Sequence, residues 1–138
     1  AVYNDPDAVA GGRNFVYGPY GDAPKWTGSA FAKVSKELSN NLGTAYLRGE
    51  IYTQSSFYYS NLANTFTVNT LIDGYSLVNL RAGLDNVGGS QFSLVAYVQN
   101  LTKKEYYVGG LDLGAVIGTS ARLVGTPRTF GIQGTYTF

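Results

Sequence analysis

Cysteine, histidine and methionine are absent from the 138 residues, tryptophan occurs once, and only 4 prolines are present. Without thiols or imidazoles, disulfide stapling, thiolate nucleophiles, zinc sites of the usual His/Cys kind and imidazole general bases are all excluded within this chain. The redox compartment stays open, since a cysteine-free chain is compatible with any of them. Charge is also sparse, with 10 Lys and Arg against 9 Asp and Glu and a net charge of +1. The cations are scattered and form no basic stripe, which argues against nucleic acid as a partner. No apolar run approaches the roughly 20 residues of a membrane-spanning helix, and no basic segment with an apolar core and a small-residue cleavage site opens the chain. Any membrane location would therefore rest on strands. The start at Ala1-Val-Tyr-Asn4 and the lack of methionine lead to the expectation that the chain is processed or is part of something longer.

What is present in excess is glycine (18), tyrosine (12) and phenylalanine (7). That mixture is skewed for a small soluble domain and suits barrels, where glycine relieves crowding and tyrosine places a hydroxyl in a headgroup layer. Residues 1–25 carry three of the four prolines with clustered Asp, Asn and Gly and read as a long loop. From Trp26 a period of two begins. Gly28, Ala30, Ala32, Val34 and Leu38 alternate with Ser29, Lys33, Ser35 and Glu37, while Phe31 interrupts the polar face and Lys36 the apolar one. A second strand over about residues 44–59 sets Ala45, Leu47, Gly49 and Ile51 against Tyr46, Arg48, Glu50 and Tyr52. Further strands run from Tyr75 to Asp85, from Phe92 to Gln99, and over the C-terminal stretch with Phe130, Ile132, Tyr136 and Phe138 on one face. A charge facing lipid costs several kcal/mol near mid-depth, so the parity of Arg48, Glu50 and Arg81 marks the inner face. Connections alternate long and short along the chain, as in barrels with one elaborate rim and one plain rim. An amphipathic helix over Phe31–Leu42 is weighed and set aside, because the alternation continues through it.

These segments resemble the C-terminal end of the TonB-dependent outer-membrane receptors. The likeness is carried by Ala23-Pro-Lys-Trp-Thr-Gly-Ser29, Gly74-Tyr-Ser-Leu-Val-Asn-Leu-Arg81, Phe92 to Tyr107 with its Asn-Leu-Thr extension, and Gly125-Thr-Pro-Arg-Thr-Phe-Gly131 with the terminal Phe138. The resemblance implies an all-β fold, an antiparallel transmembrane β-barrel of roughly 22 strands, of which residues 26–138 would supply about five C-terminal strands. It implies active import of a bulky nutrient such as an iron chelate, cobalamin or oligosaccharide, in the outer membrane of a Gram-negative bacterium. The implied partners are the remainder of the barrel and its plug, in the same or another chain, the energy-coupling inner-membrane complex, outer-membrane lipids and the barrel-assembly machinery. A passive porin or structural barrel subunit, and a soluble ligand-binding β-domain, are the alternatives. Five strands alone would leave two unpaired edges, which hydrocarbon does not tolerate.

Within that reading, Phe138 and Tyr136 are expected to be the barrel-assembly signal. Arg48, Glu50, Arg81, Lys33 and Glu37 form an inward charged set expected to contact the plug, against the alternative that they hydrate or pair among themselves. Tyr58, Tyr59 and Tyr107 are the aromatic candidates for ligand contact, and Asn61, Asn64, Asp73 and Asp112 the polar ones. Asn100-Leu-Thr102 matches a glycosylation acceptor, but Asn100 and Thr102 are expected instead to bond nearby backbone at the strand end. The six aspartates lack a calcium-loop pattern, and the Gly-Gly pairs lack the Lys-Ser/Thr of a phosphate loop. No metal, cofactor or catalytic residue is expected, and the chain is not expected to be an enzyme.

Overall fold

The computed structural model describes residues 2–4, 14–16, 23–60, 70–113 and 117–138. Its strands are β1 (Val2–Asn4), β2 (Asn14–Val16), β3 (Thr27–Leu38), β4 (Gly43–Gln54), β5 (Phe57–Tyr58), β6 (Leu71–Ile72), β7 (Tyr75–Asp85), β8 (Phe92–Gln99), β9 (Tyr107–Leu113), β10 (Thr119–Val124) and β11 (Thr129–Tyr136). A five-stranded antiparallel sheet has the order β11-β8-β7-β4-β3, and β1-β2, β5-β6 and β9-β10 form separate two-stranded sheets. The chain divides into two compact units. One comprises residues 27–54, 75–105 and 126–138 and holds the five-stranded sheet; the other comprises residues 1–26, 55–74 and 106–125 and holds the three small sheets.

The five strands arise where the period-two alternation is longest, and asparagine and glycine turn the chain between them. Between β3 and β4, Asn40 (φ 63°), Asn41 (φ 55°) and Gly43 (φ 104°) take the left-handed conformation that these residue types reach most cheaply. Gly43 is fixed sterically too, since a Cβ there would run into the carbonyl oxygen of Asp85 and sit 2.9 Å from that of Asn86. Between β7 and β8 a 3₁₀ turn at Val87–Gly89 is closed by Ser90, whose hydroxyl donates to the Val87 carbonyl at 2.6 Å.

The register gathers most of the sheet's large aliphatic side chains on one face, which also carries Lys36, Thr53 and Ser76. One cross-strand row reads Val34, Leu47, Ala82, Ala96, Ile132, and the next reads Ala32, Gly49, Leu80, Val98, Phe130. Phe130 and Ile132 are 79% and 75% exposed, and Val34 67%. The buried apolar cluster among the described residues is elsewhere, in the unit of small sheets, where Phe57, Tyr59 and Ile72 pack together.

Two expectations are corrected here. Among the described residues the strands form neither a closed barrel of roughly 22 strands nor any other closed barrel: β3 and β11 end the sheet and do not pair with each other. The segments read as plain connections hold strands, with β1-β2 before residue 25, β6 within 60–74 and β9-β10 within 101–124, and the second strand, expected to reach residue 59, ends at Gln54, with Phe57–Tyr58 pairing instead with β6. Among the described residues no helix is long and apolar enough to cross a membrane.

Candidate functional site: the polar face of the five-stranded sheet

On the face opposite the apolar rows, the ladder brings Lys33 of β3, Arg48 of β4 and Arg81 of β7 side by side in one cross-strand row. Directly opposed like charges are unfavourable, so each cation needs compensation. Arg48 receives it from Glu50, two residues along the same strand and therefore on the same face, with Nη2 donating to Oε1 at 2.9 Å. Its guanidinium also lies 4.4 Å from the centroid of the Phe31 ring. Lys33 turns the other way and sets Nζ 4.4 Å from the centroid of Tyr46. Arg81 is exposed and has neither hydrogen bond nor ion pair among the described residues. Arg48 Nε is buried without an acceptor.

Around this row the face is lined with hydrogen-bonding groups that bond to one another. Tyr52 donates to Gln54 at 2.9 Å, Thr129 donates to Gln99 at 3.2 Å, and the rings of Tyr52 and Tyr75 are 6.2 Å apart. Glu37 falls at the turn end of the face, in a row with Thr44 and Asp85, two rows from the cations. The sequence-derived charged set of Arg48, Glu50, Arg81 and Lys33 is thus brought together, and Glu37 stands apart from it.

The ligand candidates are distributed differently. Tyr58, Tyr59, Asp73, Tyr107 and Asp112 all belong to the unit of small sheets, and Asn61 and Asn64 lie outside the described residues. Tyr59 is 5% exposed and packs in the apolar cluster, its ring against Gly110. Asp112 accepts a hydrogen bond from Ser60 at 2.9 Å, and Tyr107 carries the Arg122 guanidinium 5.3 Å from its centroid. Tyr136 and Phe138 meet edge to face at 5.3 Å, with Phe138 fully exposed.

Sequence reasoning missed the aromatic platforms Phe31 and Tyr46. Phe31 was visible as a break in the polar face, and a ring at that parity, diagonal to Arg48, is the signal that would have found it. Asn100 does bond backbone: it is 4% exposed, its Nδ2 donates to the Lys104 carbonyl at 2.8 Å and the Thr126 carbonyl at 3.3 Å, and its Oδ1 accepts from Lys104 N at 2.8 Å. Among the described residues no cluster of His, Cys, Asp and Glu is arranged to hold a metal. The cation row can attract negative charge and orient it through planar guanidinium groups.

No protein-family model matches the chain, and no curated protein or solved structure matches it either. The resemblance to the TonB-dependent receptors is corrected accordingly: nothing matched supports it, and the described strands form separate unclosed sheets in place of one continuous barrel wall. The expected nutrient import, the porin alternative, the siderophore-transport and membrane-barrel descriptions, and the outer-membrane location all rested on that reading and fall with it.

Proposed function

We propose that the chain is a β-sheet assembly module, whose five-stranded sheet supplies one layer of a two-layer β structure and whose second layer is polypeptide seated on the apolar face. The observation that carries this reading is the mismatch between pattern and burial. The sheet gathers most of its large aliphatic side chains on one face, as a core-forming sheet does, yet Val34, Leu47, Leu94, Phe130 and Ile132 of that face are exposed. A sheet with one apolar face is stable when that face is covered, commonly by a second sheet about 10 Å away. Burying each large aliphatic or aromatic side chain contributes about 1.5–3 kcal/mol, so covering five of them is of the order needed to offset the cost of association.

The absence of cysteine makes the test direct. Single substitutions Val34→Cys and Ile132→Cys on the apolar face, with Ser35→Cys on the polar face as reference, are labelled in the protein as it occurs in its source cells. One maleimide is confined to water and another is dissolved in lipid. Protection of both apolar-face positions from both reagents is the expected result. Reaction with the water-soluble reagent at the rate of Ser35→Cys means an open face, and reaction with the lipid-dissolved reagent alone means a lipid cover; either result defeats the proposal.

A further inference from the structure

The polar face bears a second, independent feature. We infer that the cross-strand row of Lys33, Arg48 and Arg81 is a docking site for an acidic polypeptide segment, whose carboxylates lie between the Arg48 and Arg81 side chains. Charge complementarity carries the argument. Three cations occupy adjacent strands in a single row, and the acid in contact with them, Glu50, compensates Arg48 alone. Arg81 has no partner among the described residues, and Arg48 bonds among them through Nη2 alone. Two guanidinium groups with donors unspent, held next to each other against their mutual repulsion, form a site that a carboxylate completes.

The shape of the face selects a polypeptide over a free anion. Backbone amides around Arg48 of β4 and Arg81 of β7 are engaged in ladders on both sides, so no cradle of N–H groups surrounds a small oxyanion between them, and an ion on this open face would remain largely hydrated. The row extends about 10 Å across three strands, with about 5 Å between neighbours. Carboxylates on alternate residues of an extended segment are spaced about 6.5–7 Å apart, so two of them fall within the row.

The test is binding of a defined probe to the whole chain, followed by isothermal calorimetry at two salt concentrations. The probe is the capped pentapeptide Gly-Glu-Gly-Glu-Gly, compared with its glutamine counterpart and with inorganic phosphate. The expected result is salt-sensitive binding of the glutamate peptide, weakened about tenfold or more by Arg81→Gln. Arg81 has no partner among the described residues, so this variant is expected to keep the fold, as circular dichroism should confirm. Glu50→Gln frees Arg48 and is expected to tighten binding, the opposite of what loss of a structural ion pair would do. Equal binding of the glutamine peptide, equal effectiveness of phosphate, no binding of the glutamate peptide, or indifference to both substitutions overturns the inference.

Discussion

Tyr46 lies across Gly83 on the neighbouring strand, so closely that any Cβ at Gly83 would enter its ring, and Tyr97 treats Gly131 in the same way, with its hydroxyl 2.6 Å from where a Cβ would be. Both are register pairs of the antiparallel ladder. The abundance of tyrosine and glycine therefore has a local cause: the ring of one strand fills the space over the glycine of the next, a packing that stabilises glycine positions in sheets. Tyr46 is also the platform for Lys33, so displacing it loosens two contacts. Gly83→Val is expected to destabilise the chain by about 1–3 kcal/mol in urea unfolding. Gly88→Ala serves as the contrast. It sits at φ 65° with nothing within 4 Å, so its cost is backbone strain alone, about 1 kcal/mol, with amide exchange in the sheet unchanged. A Gly83→Val variant as stable as the parent would show that the Tyr46 ring moves aside freely.

At the scale of elements, most of the large sheet was legible in the sequence and its limits were not. Alternation located all five strands of that sheet and put Arg48, Glu50 and Arg81 on one face, which the register confirms. The same alternation is produced by a closed barrel and by an open sheet, because a period of two fixes which face a residue occupies and says nothing about the partner of the last strand. The strands β1, β2 and β6 escaped notice, and β5 was merged into the strand before it, because strands of three and two residues are shorter than any window in which alternation can be read. The charged site was half legible. Parity grouped its cations, but only the register shows that Lys33, Arg48 and Arg81 stand in one row. Long edge strands with apolar residues invite unwanted pairing, and charge blunts them. Val34→Lys combined with Ile132→Lys, one on each edge strand, is expected to slow aggregation of the isolated chain. Both positions are exposed, so folding stability should change by no more than about 0.5 kcal/mol per site. Light scattering during incubation and urea unfolding report the two quantities separately. Unfolding caused by the lysines would mean that this face is already covered within the chain.

For the molecule as a whole, the chain threads between two units that differ in what stabilises them. The five-stranded sheet has an exposed apolar face, whereas the unit of small sheets holds the buried cluster of Phe57, Tyr59 and Ile72, with Thr70 fully buried beside it in sequence. Tyr59 N donates to the Thr70 carbonyl at 3.1 Å, and Ser60 reaches Asp112 from the same stretch, so side-chain packing and a few cross-links add there to the ladder of β9 and β10. Removing packed atoms should then be felt in one unit and not in the other. Ile72 is 1% exposed, and Ile72→Ala is expected to cost about 2–5 kcal/mol through lost burial and the cavity left behind. Because stability is local, the loss should appear as faster amide exchange in β5, β6, β9 and β10, with exchange in β4 and β7 held at the parent rate. Uniform acceleration across all strands would instead make the two units one cooperative body, and the sheet's own ladders would then be insufficient to hold it without the small cluster.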